Sequence, residues 1–512
     1  MAPPAPEFDL IAEMSFASSS HPASSSTLSS MESSTTAAAA SDPAKQTANA
    51  HANEAVVMVT PYSTGCCIAL DVQRRGYTLI CLWNRDFCDT MKQHVPTSCS
   101  DLSYHAELTE SETLDGTIAS LESCADASHL KIVGVICGGE AGVDLADALS
   151  EGMGMVTNGT DIPNRRDKKV QQELIAARGM RSIRQAGGKV FDDVEKFLKA
   201  ESYPVVVKPV DSAGSDGVKL CHTFDEAREH FHHLLSTQMV NGGTCYEVLC
   251  QEYLKGKEYV VDHVSRDGEH KTVMCWVYDK RPANGATFVY HGVIPVDSES
   301  AEAKAMIPYV RDVLDALGVR NGPSHGEVII TEDGPCLVEM NCRAHGGDGN
   351  WQSLCRELCG GYTQVNATVD SYLDVERFHA LPNKPPSPFL ASGQEVDLVS
   401  FQAGTVIATP GFDKIRALDS FVLLESHVKP GVRVSKTIDL VTDIGNIILM
   451  HHDGKVLEKD IAFIRSIEKI PGALFELEVD SDEEEEEEEG DVVFPILTRS
   501  LSTPKSHRYT VW

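Results

Sequence analysis

Glu327, Glu339 and Asn341 stand in two apolar, β-prone runs, Gly326-Glu327-Val-Ile-Ile-Thr331 and Cys336-Leu-Val-Glu339-Met-Asn341, separated by Glu332-Asp333-Gly334-Pro335. An Asp-Gly step between such runs predicts a hairpin. With the turn centred on Asp333, Glu327 and Glu339 are equidistant from it and face each other, and Asn341 shares their face of the ribbon. Opposed carboxylates repel unless a cation lies between them, and two carboxylates with an amide oxygen are the hard donors that Mg²⁺, or Mn²⁺, selects. Arg343 continues the alternation, where its planar guanidinium can meet a phosphoryl oxygen or a substrate carboxylate. The plain alternative for these residues is a solvent-facing edge hairpin with scattered charge.

Two further stretches supply what such an ion would work with. Tyr203-Pro-Val-Val-Val-Lys208-Pro209 is an apolar strand ending in a lysine, followed by Val210-Asp-Ser212-Ala-Gly214-Ser215-Asp-Gly217 and a second short strand, Val218–Cys221. Gly214 and Gly217 let the backbone approach a phosphate, successive N–H groups there can form an anion-binding concavity, and Lys208 adds a cation. A glycine-containing hairpin loop alone is an ordinary turn; the lysine beside it shifts the balance. Val248–Asp262 reads as two strands broken at Gly256, which suits a hinge. A purine at that hinge could bond to the backbone of Glu252 and Leu254, which flank Tyr253, while Glu258 accepts from ribose hydroxyls.

The elements that must position these residues begin with Ala55–Val59 and Thr78–Leu82, apolar runs flanking a helical stretch from about Gly65 to Arg75, which is a βαβ unit and the start of a parallel sheet. The intervening loop lacks a GxGxxG pattern, so a dinucleotide fingerprint is not supported. A third strand, Lys131–Cys137, leads into Gly138-Gly139-Glu140 and a helix around Val143–Leu149, so Glu140 sits where open sheets meet ligands. A solvated loop carboxylate is its simpler reading. Further strand-like runs at Val396–Phe401, Phe421–Glu425 and Thr442–Met450 predict a C-terminal β-rich subdomain packed on the rest.

Composition bounds the remaining choices. The chain has 512 residues, 42% of them hydrophobic, enough for several cores. With 44 basic against 76 acidic residues, the net charge of −32 argues against nucleic acid as a partner. A nucleotide can still be held by a few lysines, backbone N–H groups and a metal. Fifteen cysteines, an odd number without a regular spacing, read as small buried hydrophobes in a reducing compartment, not as a disulfide framework. No apolar run approaches the ~20 residues that span a bilayer, so no membrane role is expected.

Residues 1–53 are a Ser/Ala-rich tail with the composition of a disordered segment; it lacks Arg and contains acidic residues, among them Glu7, Asp9, Glu13 and Glu32, unlike a mitochondrial presequence, whereas a plastid-type signal is compatible with it. Residues 479–512 form an acidic tail around an unbroken run of glutamates. Between them we expect an N-terminal α/β domain over 54–157, a nucleotide-binding domain over 158–375 and the C-terminal subdomain over 376–478. The expected setting is cytoplasmic, with a homodimer left open.

Taken together, Glu140-Ala-Gly-Val-Asp-Leu-Ala-Asp, Thr157-Asn158-Gly159, Arg165-Arg-Asp167-Lys168, the Lys208-Pro loop, Gln251–Glu258 and Glu339-Met-Asn-Cys-Arg343 resemble the ATP-grasp superfamily, and within it bacterial L-amino acid ligases of the dipeptide synthetase type. The resemblance runs from about Ala55 through the 340s. It implies an α/β fold with a Rossmann-like parallel-sheet domain ahead of a two-part grasp. It also implies that Lys168 and Lys208 contact ATP phosphates, that Asp211–Gly217, including Ser212, Gly214, Ser215 and Gly217, covers them, and that Gln251–Leu254 and Glu258 hold adenosine. Glu327, Glu339 and Asn341 would bind Mg²⁺, Arg343 would lie near the transferred phosphoryl group, and His325 would help to orient substrate. Many relatives have Pro where this chain has Cys342, which removes none of these ligands. The implied activity is ATP-dependent ligation of a carboxylate to an amine through an acyl phosphate, with amino acids as substrates. The alternatives are carboxylation, ligation of a different acid, and a regulatory protein that binds ATP without turnover.

Overall fold

The computed structural model describes residues 51–162, 165–210, 217–236, 245 and 247–478. Ser212, Gly214 and Ser215 lie outside the described residues, as do 1–50 and the acidic tail from 479.

The N-terminal sheet holds β1 (Glu54–Val59), β2 (Thr78–Trp83), β3 (Ala106–Thr109) and β4 (Lys131–Cys137) in the order β3-β2-β1-β4. All its pairs are parallel. The apolar runs of β1 and β2 are buried on both faces, as parallel strands covered by helices are. Helix Thr64–Arg74 makes the first crossover. β3, polar at alternate positions, gave no strong signal in the sequence.

A second sheet holds β5 (Gln185–Gly188), β6 (Val205–Pro209), β7 (Lys219–Cys221) and β8 (Val248–Glu252) in the order β5-β8-β6-β7, with its own core of Val205, Val207, Phe231 and Val248. The chain leaves β8, passes Gly256 and enters β9 (Glu258–Arg266), which belongs to a third sheet. The expected hinge is therefore the passage between two sheets. A Cβ at Gly256 would come 2.2 Å from the carbonyl oxygen of Ile330, so only glycine fits there.

The third sheet is larger than the sequence suggests. After β9 come β10 (Glu269–Ala283), β11 (Ala286–Pro295), β12 (Gly322–Thr331), β13 (Gly334–Asn341), β14 (Ser392–Asp397), β15 (Gly404–Ala408), β16 (Phe421–Glu425), β17 (Arg433–Val434), β18 (Asn446–His451) and β19 (Glu476–Glu478). Eight strands form one sheet in the order β13-β12-β9-β10-β11-β14-β18-β16, while β15, β17 and β19 make a small separate one. The expected C-terminal subdomain thus does not merely pack on the grasp. β14 pairs with β11 through Gly292–Val396 and Val293–Glu395, so the C-terminal strands continue the sheet that carries the β12–β13 hairpin to a second edge. The strand expected at Val396–Phe401 starts four residues earlier, at Ser392.

One hydrophobic core joins the N-terminal sheet to the third sheet. Val57, Ile80 and Leu149 share it with Val310 and Leu314 of helix Ala301–Ala316 and with Val328, Leu337 and Met340. At about 1.5–3 kcal/mol for each fully buried aliphatic side chain, this core fixes the carboxyl ends of the parallel strands against the β12–β13 ribbon. None of the fifteen cysteines is in a disulfide, and all but Cys88 and Cys124 are buried. No described helix is long and apolar enough to cross a membrane.

Candidate active site

The β12–β13 hairpin reaches the expected pairing by an unexpected route. A two-residue loop, Glu332-Asp333, pairs Thr331 with Gly334, and Ile329 with Cys336. Continued without a break, that register would set Glu327 against Val338 and turn Glu339 to the other face. A register shift between Glu327 and Val328 restores the pairings Glu327–Glu339 and His325–Asn341. The turn is therefore not centred on Asp333, and an irregularity in the ribbon brings the three oxygen donors onto one face.

That face is the floor of a cavity of about 790 Å³, lined among others by Lys168, Lys208, Glu252, Tyr253, Leu254, Glu258, His325, Glu327, Glu339, Asn341 and Arg343. Gly217 does not line it; its φ of +69° and the close packing of Pro209 and Leu234 make it a turn glycine. The second sheet forms the opposite wall through Val206 and Lys208.

Lys168 is the first residue of helix Lys168–Ala177, capped by Asp167, whose carboxylate accepts from the N–H groups of Lys169 and Val170. Gln171 and Gln172 bind this helix to β13: their side-chain amides donate to the carbonyls of Met340 (2.7 Å) and Leu337 (2.9 Å). The ammonium of Lys168 accordingly lies 2.9 Å from Glu339. Burial would lower its pKa, but Glu339, joined by Glu140 and Glu327, raises it. Lys208 is the opposite case. Burial, reinforced by the charge of Lys168, brings it down to about 8.

Cations of the protein surround the carboxylates of this ribbon. Glu327 lies 3.4 Å from His325 Nε2. Burial would raise its carboxyl, yet His325, aided by Lys280 and Arg343, holds it at about 2. Asn341 Nδ2 donates to Glu339 at 3.2 Å. Two carboxylates and an amide, brought together on a ribbon beside the ammonium of Lys168 and the imidazole of His325, fit a hard divalent cation. Glu258, expected at ribose hydroxyls, is held by Lys280 Nζ at 2.8 Å to both oxygens. Burial raises its pKa, with Lys280 opposing and Glu327 adding to the rise.

The hinge residues are partly committed as well. The amide N–H of Glu252 donates to the carbonyl of Arg184, so it is not available to a purine, and the carboxylate is clamped by Arg181 and Arg184, each at 2.8 Å. Leu254 packs with Ile183 and Cys336, and Ile183, Val206, Leu254 and Ile329 make an apolar slot between the two sheets.

His325 is tied on both ring nitrogens. Nδ1 meets Asp262 at 2.9 Å and Nε2 meets the Tyr278 hydroxyl at 3.0 Å. Burial would lower its pKa, but hydrogen bonds to Asp262 and Glu327 raise it to about 9. Asp262 also takes His345 Nδ1 at 2.9 Å and the indole N–H of Trp276 at 2.7 Å. The donor atoms of Asp262, His325 and His345 converge within 4.8 Å, as metal ligands can. Because the Asp262 oxygens already serve Trp276 and both imidazoles, the trio acts as a hydrogen-bonded brace that orients His325, and through it Glu327.

Across the cavity, Arg343 and Arg166 converge on Glu140, at 3.2 Å and 2.8 Å. Burial would raise the Glu140 carboxyl, but the two guanidinium groups lower it. Glu140 Oε2 has no hydrogen bond of good geometry, so the Arg343 contact is an ion pair only. Sequence reasoning missed Lys280, Tyr278, His345 and, at the far end of the cavity, Glu395 and Asp397. The alternation of Glu395 and Asp397 along an apolar strand was the one signal present in the sequence.

Comparison with known proteins points to one family. A family model described as the ATP-grasp domain matches residues 201–351. The chain is 30% identical over 364 residues to dapdiamide A synthase of Enterobacter agglomerans, covering 69% of this chain and 83% of that one. It is 24% identical over 305 residues to alanine–anticapsin ligase of Bacillus subtilis (strain 168), covering 54% and 63%. The structure of L-amino acid ligase from Bacillus licheniformis superposes with a TM-score of 0.65 at 15% identity, covering 84% of this chain and 99% of that one, which shows a common fold. The likeness to dapdiamide A synthase over most of its length, with the ATP-grasp domain matched over residues 201–351, makes the chain a member of the ATP-grasp family of ADP-forming carbon–nitrogen ligases.

Proposed function

We propose that the protein joins the carboxylate of one amino acid to the amine of another, using ATP and passing through an acyl phosphate. The observation that carries this is the facing pair Glu327–Glu339, which lines a single cavity together with Lys168, Lys208 and Arg343.

The adenine of ATP enters the apolar slot at Ile183, Val206, Leu254 and Ile329, with its phosphates toward Lys168 and Lys208. Glu327, Glu339 and Asn341 would hold Mg²⁺, which when bound neutralises phosphate charge and polarises the γ-phosphoryl group. Arg343, steered by Glu140, grips the substrate carboxylate with its planar fork. One carboxylate oxygen attacks the γ-phosphorus, the bond to the β,γ-bridging oxygen breaks, and ADP leaves. The amine, neutral at attack, adds to the acyl carbon; the carbon–oxygen bond to phosphate breaks, phosphate departs and the amine proton passes to solvent or phosphate. The chain supplies alignment and charge neutralisation, and no protein nucleophile is needed. Burial disfavours the charge of Lys208, and the phosphates it serves would relieve that penalty.

The test is Glu339→Gln in the full-length protein. Amine-dependent ADP release should fall by about 10²-fold or more, with an unchanged circular dichroism spectrum. Undiminished release would overturn the reading, and ATP binding without any ADP release in every amino-acid mixture would identify a regulatory protein instead.

A further inference from the structure

The far end of the cavity carries carboxylates that the ligation chemistry above does not use. β14 presents Glu395 and Asp397 on one face while Val396, between them, enters the C-terminal core. Asp443, in the loop before β18, joins them in lining the cavity. Glu395 is 4% exposed, and among the described residues its carboxylate has no hydrogen bond and no ion pair. A buried, unpaired carboxylate costs several kcal/mol unless it is protonated or meets a cation. Burial first, and then the charges of Asp397, Asp443 and Asp348, push the Glu395 pKa well up, with no cation among the described residues offsetting them. Asp397 is raised to about 7, again mainly by burial and then by Asp443, with Arg465 in opposition.

Among the described residues, the one group of three or more His, Cys, Asp or Glu donors that converges within 4.8 Å is Asp262, His325 and His345. The carboxylates of Glu395, Asp397 and Asp443 do not converge in that way, and three spread carboxylates suit a larger organic cation. Glu395 Oε1 lies 3.9 Å from where a Cβ would stand on Gly347, in the segment that follows Arg343, so the acidic end communicates with the place assigned to the substrate carboxylate. In the sheet order β14 is four strands from β12, roughly 20 Å at about 4.8 Å per strand. A phosphoryl group, an acyl group and an amino acid with an extended side chain would fill that length together.

We propose that one substrate of the ligase carries a cationic side chain, an ammonium or guanidinium group, that is received by Glu395, Asp397 and Asp443. The proposal rests on the ligase reading for its reaction and on Glu395 for its specificity. It excludes a cavity selective for small neutral amino acids at both positions.

The full-length protein is assayed for ATP-dependent phosphate release with amino-acid pairs in which lysine, ornithine or arginine is exchanged for norleucine, norvaline or citrulline. At least one basic amino acid should exceed its neutral counterpart tenfold or more in kcat/KM, the size expected when a charged partner is matched or missing. Glu395→Gln, and separately Asp397→Asn, should shrink that ratio at least tenfold. Equal use of the neutral counterparts overturns the proposal, as does a ratio that neither substitution changes. Calorimetric titration of the same amino acids, with a nonhydrolysable ATP analogue present, separates the two readings. Basic amino acids that bind tenfold more tightly than their counterparts in the parent protein but not in the variants, without phosphate release from any pair, would retain the cation site and remove the ligase. No preference in binding and none in turnover removes the cation site.

Discussion

Replacing Lys208 with Met should make the protein more stable and inactive at once. Lys208 is 6% exposed, so solvent screens it little. Its pKa moves from 10.5 to about 8, through burial and then the repulsion of Lys168. At about 1.4 kcal/mol per pH unit, keeping this lysine charged in the folded protein at pH 7 costs roughly 3 kcal/mol relative to the unfolded chain. The sign follows from proton binding. Between pH 8 and 10.5 the unfolded chain holds the proton and the folded protein has lost it, so parent stability rises with pH across that window. Below pH 8 both states are protonated and the full penalty stands. Met keeps most of the buried stem and drops the charge. Urea unfolding at pH 7 should therefore show Lys208→Met more stable by about 1–3 kcal/mol, with the difference shrinking toward pH 10.5. ADP release should fall by about 10²-fold or more in the same variant, since the cation proposed to face the phosphates is gone. A variant less stable than the parent at pH 7, or a stability difference that ignores pH, would refute the claim that the site holds this charge under strain for its ligand.

Asp262→Asn leaves one acceptor oxygen where Trp276, His325 and His345 converge on a fully buried carboxylate. Breaking this charged cluster should cost about 3–5 kcal/mol, read as a lower thermal midpoint, and an unchanged midpoint would show that the brace carries no stability. Gly256→Ala should cost about 1–3 kcal/mol and raise the KM for ATP, because the added methyl meets a backbone oxygen at 2.2 Å in the passage between the sheets. A KM equal to that of the parent would separate this glycine from hinge motion.

Features that depend on neighbours along the chain are legible in the sequence itself. Alternating Glu327, Glu339 and Asn341 around a turn signal predict a shared face, because period-two side chains and hairpin chemistry are local properties. The lysine near the end of β6 and the glycine that breaks Val248–Asp262 are readable for the same reason: each marks where one short element stops. The acidic tail and the charge balance likewise follow from composition alone. Tertiary structure decided the rest. The register shift that brings Glu339 opposite Glu327 belongs to the ribbon's packing, since the loop alone would have turned it away. Glu140 meets Arg343 from a distant part of the chain, Lys280 takes Glu258 from the neighbouring strand, and Glu395 reaches the cavity only because β14 joins the sheet beside β11. Such pairings depend on which strands become neighbours, a choice made by burial of the whole chain and written in no single stretch of it.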